Sequence, residues 1–228
     1  MLLSKGQPTF QLKLAFALAL SFAANGYINY QFSYLELLPQ VTCAEVEDCT
    51  WDQICTDNLE YSIDYTNSRT SLYNWVEQLD LYCATDQQIG WIAGAWSLGW
   101  AVALLFIPTA AEVYGRKPIV VASSLMVAMS ILCTFFVRKL GKMYAVMFMF
   151  GFACSGRDPL AIVYGSEFMT SKQQVSLAAF VMFVDQLSVF VISLYYMFIG
   201  NSYKPITSIG IVFATASFFA LIRFPESP

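Results

Sequence analysis

The sequence predicts an all-α integral membrane protein with six transmembrane helices. Three observations carry that prediction. Of its 228 residues, 57% are hydrophobic, 16% aromatic and only 12% charged, with a mean hydropathy of +0.56, a balance outside the range of ordinary soluble domains. Six apolar runs reach the roughly 20 residues that a helix needs to cross a hydrocarbon core about 30 Å thick. The alternating segments of about ten residues that build a membrane β-barrel are missing, so the spans satisfy their backbone groups as helices.

The first span is read over 12–35. Lys5 and Lys13 ahead of Leu14–Ala24 have the look of a signal sequence, but the helical run continues through Tyr27, Tyr30 and Phe32 to Leu38, too long for a cleaved apolar core. A loop over 39–88 follows. It holds ten acids (Glu45, Glu47, Asp48, Asp52, Asp57, Glu60, Asp64, Glu77, Asp80, Asp86) against Arg69 alone, a charge that disfavours nucleic acid as a partner. Cys43, Cys49, Cys55 and Cys83 all fall in this loop, which suggests two disulfides in one of three pairings and an oxidising side; reduced thiols are the alternative. No metal site is expected, because the chain has no His and no C-x-x-C.

The second span, 88–108, carries Gly90, Gly94, Ala95 and Gly99, and the fourth, 143–165, carries Gly151 and Ser155. Such small residues four apart allow close helix approach, either inside one bundle or on a dimerisation face. The third, fifth and sixth spans are read over 118–137, 174–199 and 205–223. The positive-inside count only weakly favours an internal amino terminus and an external acidic loop.

Charge inside the spans marks candidate cavity residues: Arg157 and Asp158 in span four, Asp185 in span five. Each sits near mid-span, where a charge is costly and must face the bundle or a wet cavity. Arg157 is expected to pair with Asp185, leaving Asp158 beside the kinking Pro159. Asn25 and Asn29, four apart on span one, line the same cavity or bond to neighbouring groups; Gln186 is a further candidate. With no His, no nucleophile beside a base and no phosphate-cradling glycine loop, the chain is not read as an enzyme and no cofactor is expected.

In order along almost the whole chain, these features resemble the amino-terminal half of a major facilitator superfamily transporter, in its organic cation/anion branch. That branch has a cysteine-bearing loop after helix 1 that closes on a phrase like Trp75-Val76-Glu77-Gln78-Leu79-Asp80-Leu81-Tyr82-Cys83. Its helix 2–3 turn, G-x-x-x-D-R-x-G-R-K-P, is matched at its end by Gly115-Arg116-Lys117-Pro118. Its Y-x-x-E after helix 4 is matched by Tyr164-Gly165-Ser166-Glu167, with Lys172 in the loop beyond. Its P-E-S-P-R after helix 6 is matched by Pro225-Glu226-Ser227-Pro228, where the sequence ends. Departures stand at Pro108 for a Gly, Glu112 for the Asp, Val113 for the first Arg, Met147 and Gln174 for two further arginines, and Tyr203-Lys204 for Trp-Arg.

The resemblance implies two inverted three-helix repeats over 1–228, a substrate cavity between two six-helix halves, and gating-motif remnants at Glu112, Gly115, Arg116, Lys117, Glu167, Pro225, Glu226 and Ser227. The lost arginines suggest a retained fold with relaxed gating. The expected role is an accessory or structural subunit of a larger membrane complex, with transport lost or reduced. The alternative is transport of small organic ions together with a second half: a homodimer partner, a separate chain, or a continuation of this one. Expected partners are the lipid bilayer and other membrane subunits or a second half over the cavity face. Expected locations are a mitochondrial inner membrane with the loop in the intermembrane space, slightly favoured by the lack of a glycosylation acceptor in the loop, or a plasma membrane with the loop outside.

Overall fold

In the computed structural model, residues 8–43, 49–57, 60–63 and 71–225 are described; Glu45, Glu47, Asp48, Asp64, Arg69, Glu226 and Ser227 lie outside them. The element order is α1 (Pro8–Asn29), α2 (Phe32–Leu35), β1 (Val41–Cys43), α3 (Trp51–Asp57), β2 (Tyr61–Ile63), α4 (Trp75–Gln78), α5 (Asp86–Tyr114), α6 (Arg116–Thr134), α7 (Leu140–Glu167), α8 (Ser171–Phe198) and α9 (Tyr203–Ile222).

Among the described residues, five helices (α5 to α9) are long and apolar enough to cross a membrane, one fewer than the six expected. The first expected span divides. Its helix stops at Asn29, where the Gln31 amide turns back onto the Tyr27 carbonyl and Tyr196 donates to Gln31 Oε1 at 3.0 Å. A single turn, α2, then resumes. Gln11, Lys13, Asn25 and Asn29 also interrupt the apolar run of α1 near both of its ends. It is nonetheless the central element, packed on α8, α9 and, more lightly, α7, with an apolar face of Leu14, Leu18, Ala24 and Ile28 fully buried.

The other long helices pair closely. α5 lies along α7, α6 packs on both α7 and α9, and α8 lies along α1. The α5–α7 crossing is a backbone contact. A Cβ on Gly99 would fall on the Phe148 carbonyl oxygen, and one on Gly151 on the Trp96 carbonyl oxygen. Of the expected small residues, Gly99 and Gly151 therefore serve packing within one bundle, whereas a Cβ on Gly90 would meet nothing within 4 Å and one on Gly94 only the Trp91 side chain. α5 starts with a capping box, Thr85 N–H to Gln88 Oε1 at 3.0 Å and Gln88 N–H to Thr85 Oγ1 at 3.3 Å. It ends at Gly115, whose φ of 91° a side chain would strain, and α6 begins at the next residue.

The acidic loop forms a cap on one end of the bundle. Its cysteines pair as Cys43–Cys49 and Cys55–Cys83. β1 and β2 form a short antiparallel pair, and Trp51 stacks on Tyr82 with centroids 4.9 Å apart. The cap is sewn to the helices: Tyr73 N–H donates to the Asn201 carbonyl and Tyr203 N–H to the Tyr73 carbonyl. Gln78 Nε2 donates to the carbonyls of Thr134 and Val137 at 2.7 and 2.8 Å, closing the end of α6, while Trp75 and Val76 are fully buried.

Two outcomes follow from the cap. Cys55–Cys83 closes a 28-residue separation and Cys43–Cys49 one of six. Loop-closure entropy then assigns the first about 3.5 kcal/mol and the second about 2. Cys55→Ala/Cys83→Ala should thus lower the melting temperature in detergent more than Cys43→Ala/Cys49→Ala, and equal losses would contradict the assignment.

Glu36, just past α2, is the second case. One of its carboxylate oxygens is buried without a partner among the described residues, and burial pushes its carboxyl up from 4.5 to about 7. Between those two values the folded chain holds a proton that the unfolded chain has lost, so stability falls as pH rises through the window. Discounted for partial exposure, the loss should be about 1 kcal/mol, or about 2–4 °C in melting temperature between pH 5 and 8 for a chain of this length. Glu36→Gln should abolish that slope, and a wild-type curve that rises across the window would contradict it.

Candidate functional site: a charged, aromatic cavity

A cavity of about 340 Å³ opens between α1, α5, α7 and α8. α1 contributes Phe22, Asn25, Gly26 and Asn29, with Tyr30 just beyond its end; these spacings of three and four form one helix face. α5 contributes Trp96 and Trp100, one turn apart with ring centroids at 5.7 Å. α7 brings Phe150, Cys154, Asp158 and Pro159, and α8 brings Met182 and Asp185. α5 and α8 pack on α7 and α1 rather than on each other, so the cavity lies between two walls.

Two carboxylates sit in different surroundings. Asp158 Oδ2 accepts from Asn25 Nδ2 at 2.6 Å, and Cys154 Sγ lies 3.1 Å from Asn25 Oδ1. Asp158 Oδ1 is 3.3 Å from Arg157 Nε. Asp185 Oδ2 accepts from the Tyr30 hydroxyl at 2.5 Å and from Gln186 Nε2 at 3.4 Å, and Gln186 also donates to the Tyr30 oxygen at 2.9 Å.

The expected Arg157–Asp185 pair is therefore replaced by Arg157–Asp158. Adjacent residues diverge by about 100° around a helix, but the long arginine stem brings Nε back to its neighbour. The guanidinium is fully buried, and its two terminal nitrogens have no hydrogen-bond partner among the described residues. Asn25, Asn29, Asp158 and Asp185 do line the cavity; Arg157 does not, and Gln186 reaches it through Tyr30. Sequence reasoning passed over Tyr30, Trp96 and Trp100. The signal was present in Tyr30 four residues after Gly26 and in the Trp96/Trp100 pair. Among the described residues, no three of His, Cys, Asp or Glu come together to hold a metal ion.

At the end of the bundle opposite the cap, several motif residues meet. Arg116 forms an ion pair with Glu167, joining the α5–α6 turn to the end of α7. Lys117 Nζ donates to the Ile222 carbonyl at 3.2 Å, and the Tyr164 hydroxyl to the Pro225 carbonyl at 2.6 Å. Gln174, standing where an Arg was expected, donates to the Ser166 carbonyl at 3.0 Å. Glu112 is exposed and joins no ion pair among the described residues.

The sequence model of the Major Facilitator Superfamily matches residues 14–228. The chain belongs to that superfamily. No curated protein matches the chain. Membership makes it a transporter-like, multi-pass integral membrane protein, a class that works by binding and moving a solute rather than by bond chemistry. It also gives the polar cavity among apolar helices its context, since solute sites in such folds lie near mid-membrane between helix repeats.

Proposed function

We propose that this superfamily member supplies one wall of a pathway for small organic ions, with a second membrane unit completing the cavity. The observation that carries the reading is the cavity itself: two carboxylates and five aromatic residues, Phe22, Tyr30, Trp96, Trp100 and Phe150, gathered on four helices with an open side. Asp158 and Asp185 would be costly against lipid, so a covering protein is required. In this reading α1 is the sixth crossing: its 22 residues span about 33 Å. The equivalence of α5 on α7 with α8 on α1, and of α6 on α7 with α9 on α1, supports two inverted three-helix repeats. The cysteine-bearing cap and the Arg116–Glu167 contact support the organic-ion branch, with the disulfides on an oxidising side.

A second reading, an accessory subunit of a membrane complex with transport reduced, is favoured by the missing motif arginines at Val113, Met147 and Gln174. One experiment separates the two. The chain is purified from its native membrane in mild detergent, its companions are weighed, and the assembly is placed in liposomes with labelled organic ions. Saturable uptake supports the pathway reading, and a fixed set of companions without uptake supports the subunit reading. A lone chain with neither binding nor uptake of organic ions would sink both.

A further inference from the structure

We propose that Cys133, Met129 and Met149 form a binding site for a soft monovalent metal ion of the Cu(I) class, on a face of the bundle that the cavity does not use. A groove of about 300 Å³ runs between α6 and α7. It is lined on α6 by Met126, Met129, Ser130 and Cys133, and on α7 by Met149 among apolar residues. The α6 spacings of three and four put these side chains on one helix face. The level of Met149 follows from the contact between the two helices. A Cβ on Gly156 would stand 2.6 Å from Ser123 Oγ, and α6 and α7 pack antiparallel across the short connection between Thr134 and Leu140. Two helical turns onward from Ser123 and two turns back from Gly156, Ser130 and Met149 stand opposite each other. Met149 therefore faces the gap between Met129 and Cys133, which are one turn apart on α6.

The donor atoms decide the ion. Thioethers and a thiolate select soft ions such as Cu(I), and no carboxylate is among the described residues that line the groove. Cys133 is a free, exposed cysteine, and Met129 and Met149 are 52% and 44% exposed, so all three sulfurs can be reached. The three rotatable bonds of methionine let both arms swing onto one ion. A further observation points to a ligand here. Ser130 is only 7% exposed and lines the groove, yet its hydroxyl makes no hydrogen bond with the described residues. One turn before Cys133, it is placed to donate to a thiolate. On binding, Cu–S bonds form to the two thioethers and to the thiolate, and the Cys133 proton leaves to water. A thiolate with a monovalent ion is net neutral, which suits an apolar groove; a divalent ion would leave a charge there. Entry is from the cap end of the bundle, since Cys133 adjoins Thr134, whose carbonyl accepts from Gln78 of the cap at 2.7 Å.

The test uses the full chain in mild detergent, loaded with Cu(I) under ascorbate and dialysed against the Cu(I) chelator bathocuproine disulfonate. A single equivalent of Cu(I) is expected to stay with the protein, and excess Zn(II) should not displace it. Cys133→Ser and Met129→Leu/Met149→Leu should each weaken retention at least about tenfold, because each removes ligands and not merely their supports. Leucine keeps the volume of methionine, so the double variant still reports if the serine variant does not stay monodisperse. Met197→Leu, on α8 and similarly exposed at 57%, is the control for a thioether outside the groove and should retain the ion fully. Loss of Cu(I) from the wild-type chain to the chelator, displacement by Zn(II), or an equal loss from Met197→Leu overturns the site. Retention that either groove variant lowers less than tenfold overturns it as well, and places the ion on another thiol such as Cys154.

Discussion

Replacing Gly151 with leucine should prevent the chain from accumulating as a monodisperse species in detergent. α5 and α7 meet with backbone against backbone. Gly151 leaves no room between its Cα and the Trp96 carbonyl, and Gly99 holds the same relation to the Phe148 carbonyl. A side chain at either position cannot be absorbed by rotating a neighbour, because what it meets is the helix itself. The helices would have to separate along their length. Overpacking in ordinary cores costs about 1–3 kcal/mol; here it removes the contact that carries Trp96 and Trp100 up to the cavity, so the loss should exceed about 3 kcal/mol. Gly141→Leu is the control. It lies on the same helix with nothing within 4 Å of an added Cβ, and should be neutral or slightly stabilising through helix propensity. Size-exclusion profiles and melting curves of the two variants, made side by side, decide the matter. Equal behaviour would mean that α5 and α7 do not meet as described.

That crossing was legible in the sequence as small residues four apart, and the reason is general: only a residue without a side chain permits backbone contact. The long helices were equally legible. The expected spans 118–137, 143–165, 174–199 and 205–223 became α6, α7, α8 and α9 with ends shifted by a few residues, since hydropathy reports which residues leave water and not where the last turn is capped. α5 runs on to Tyr114, past the expected end at 108, because Pro108 removes one hydrogen bond without ending a helix supported by its neighbours. The first span was misjudged because its stop is tertiary. Gln31 turns back only because Tyr196, far along the chain, holds its other end. The Arg157 pairing failed for a related reason. Helical angles place Cα atoms, whereas a four-atom stem decides where a guanidinium ends. Tyr30 was hidden because its partner, Asp185, is 155 positions away, and no periodicity connects them.

Asp158 provides the second large effect. Asp158→Asn should destabilise the chain by about 3–5 kcal/mol, because removing one member of a buried pair strands the other charge. The stranded group would be Arg157, fully buried, whose terminal nitrogens already lack partners among the described residues. Asn25 does not compensate: its Nδ2 donates to Asp158 Oδ2, its Oδ1 lies against Cys154 Sγ, and a neutral amide brings no counter-charge. Arg157→Met should cost less, since Asp158 borders the cavity and keeps the Asn25 bond. The double variant Arg157→Met/Asp158→Asn should recover most of the loss, as a buried pair replaced by neutral groups of similar volume is often close to neutral. A thermodynamic cycle over the four proteins should therefore return a coupling of at least about 2 kcal/mol, within the range seen for residues in direct contact. Additive losses would show that Arg157 is neutralised by something other than its neighbour. In that case Asp158 would keep only its Asn25 bond, and its contrast with Asp185, which is held by the neutral donors Tyr30 and Gln186, would disappear. The cycle thus tests the fold and the site at once: the same buried charge that makes α7 fragile leaves Asp185 as the carboxylate without a cation of its own.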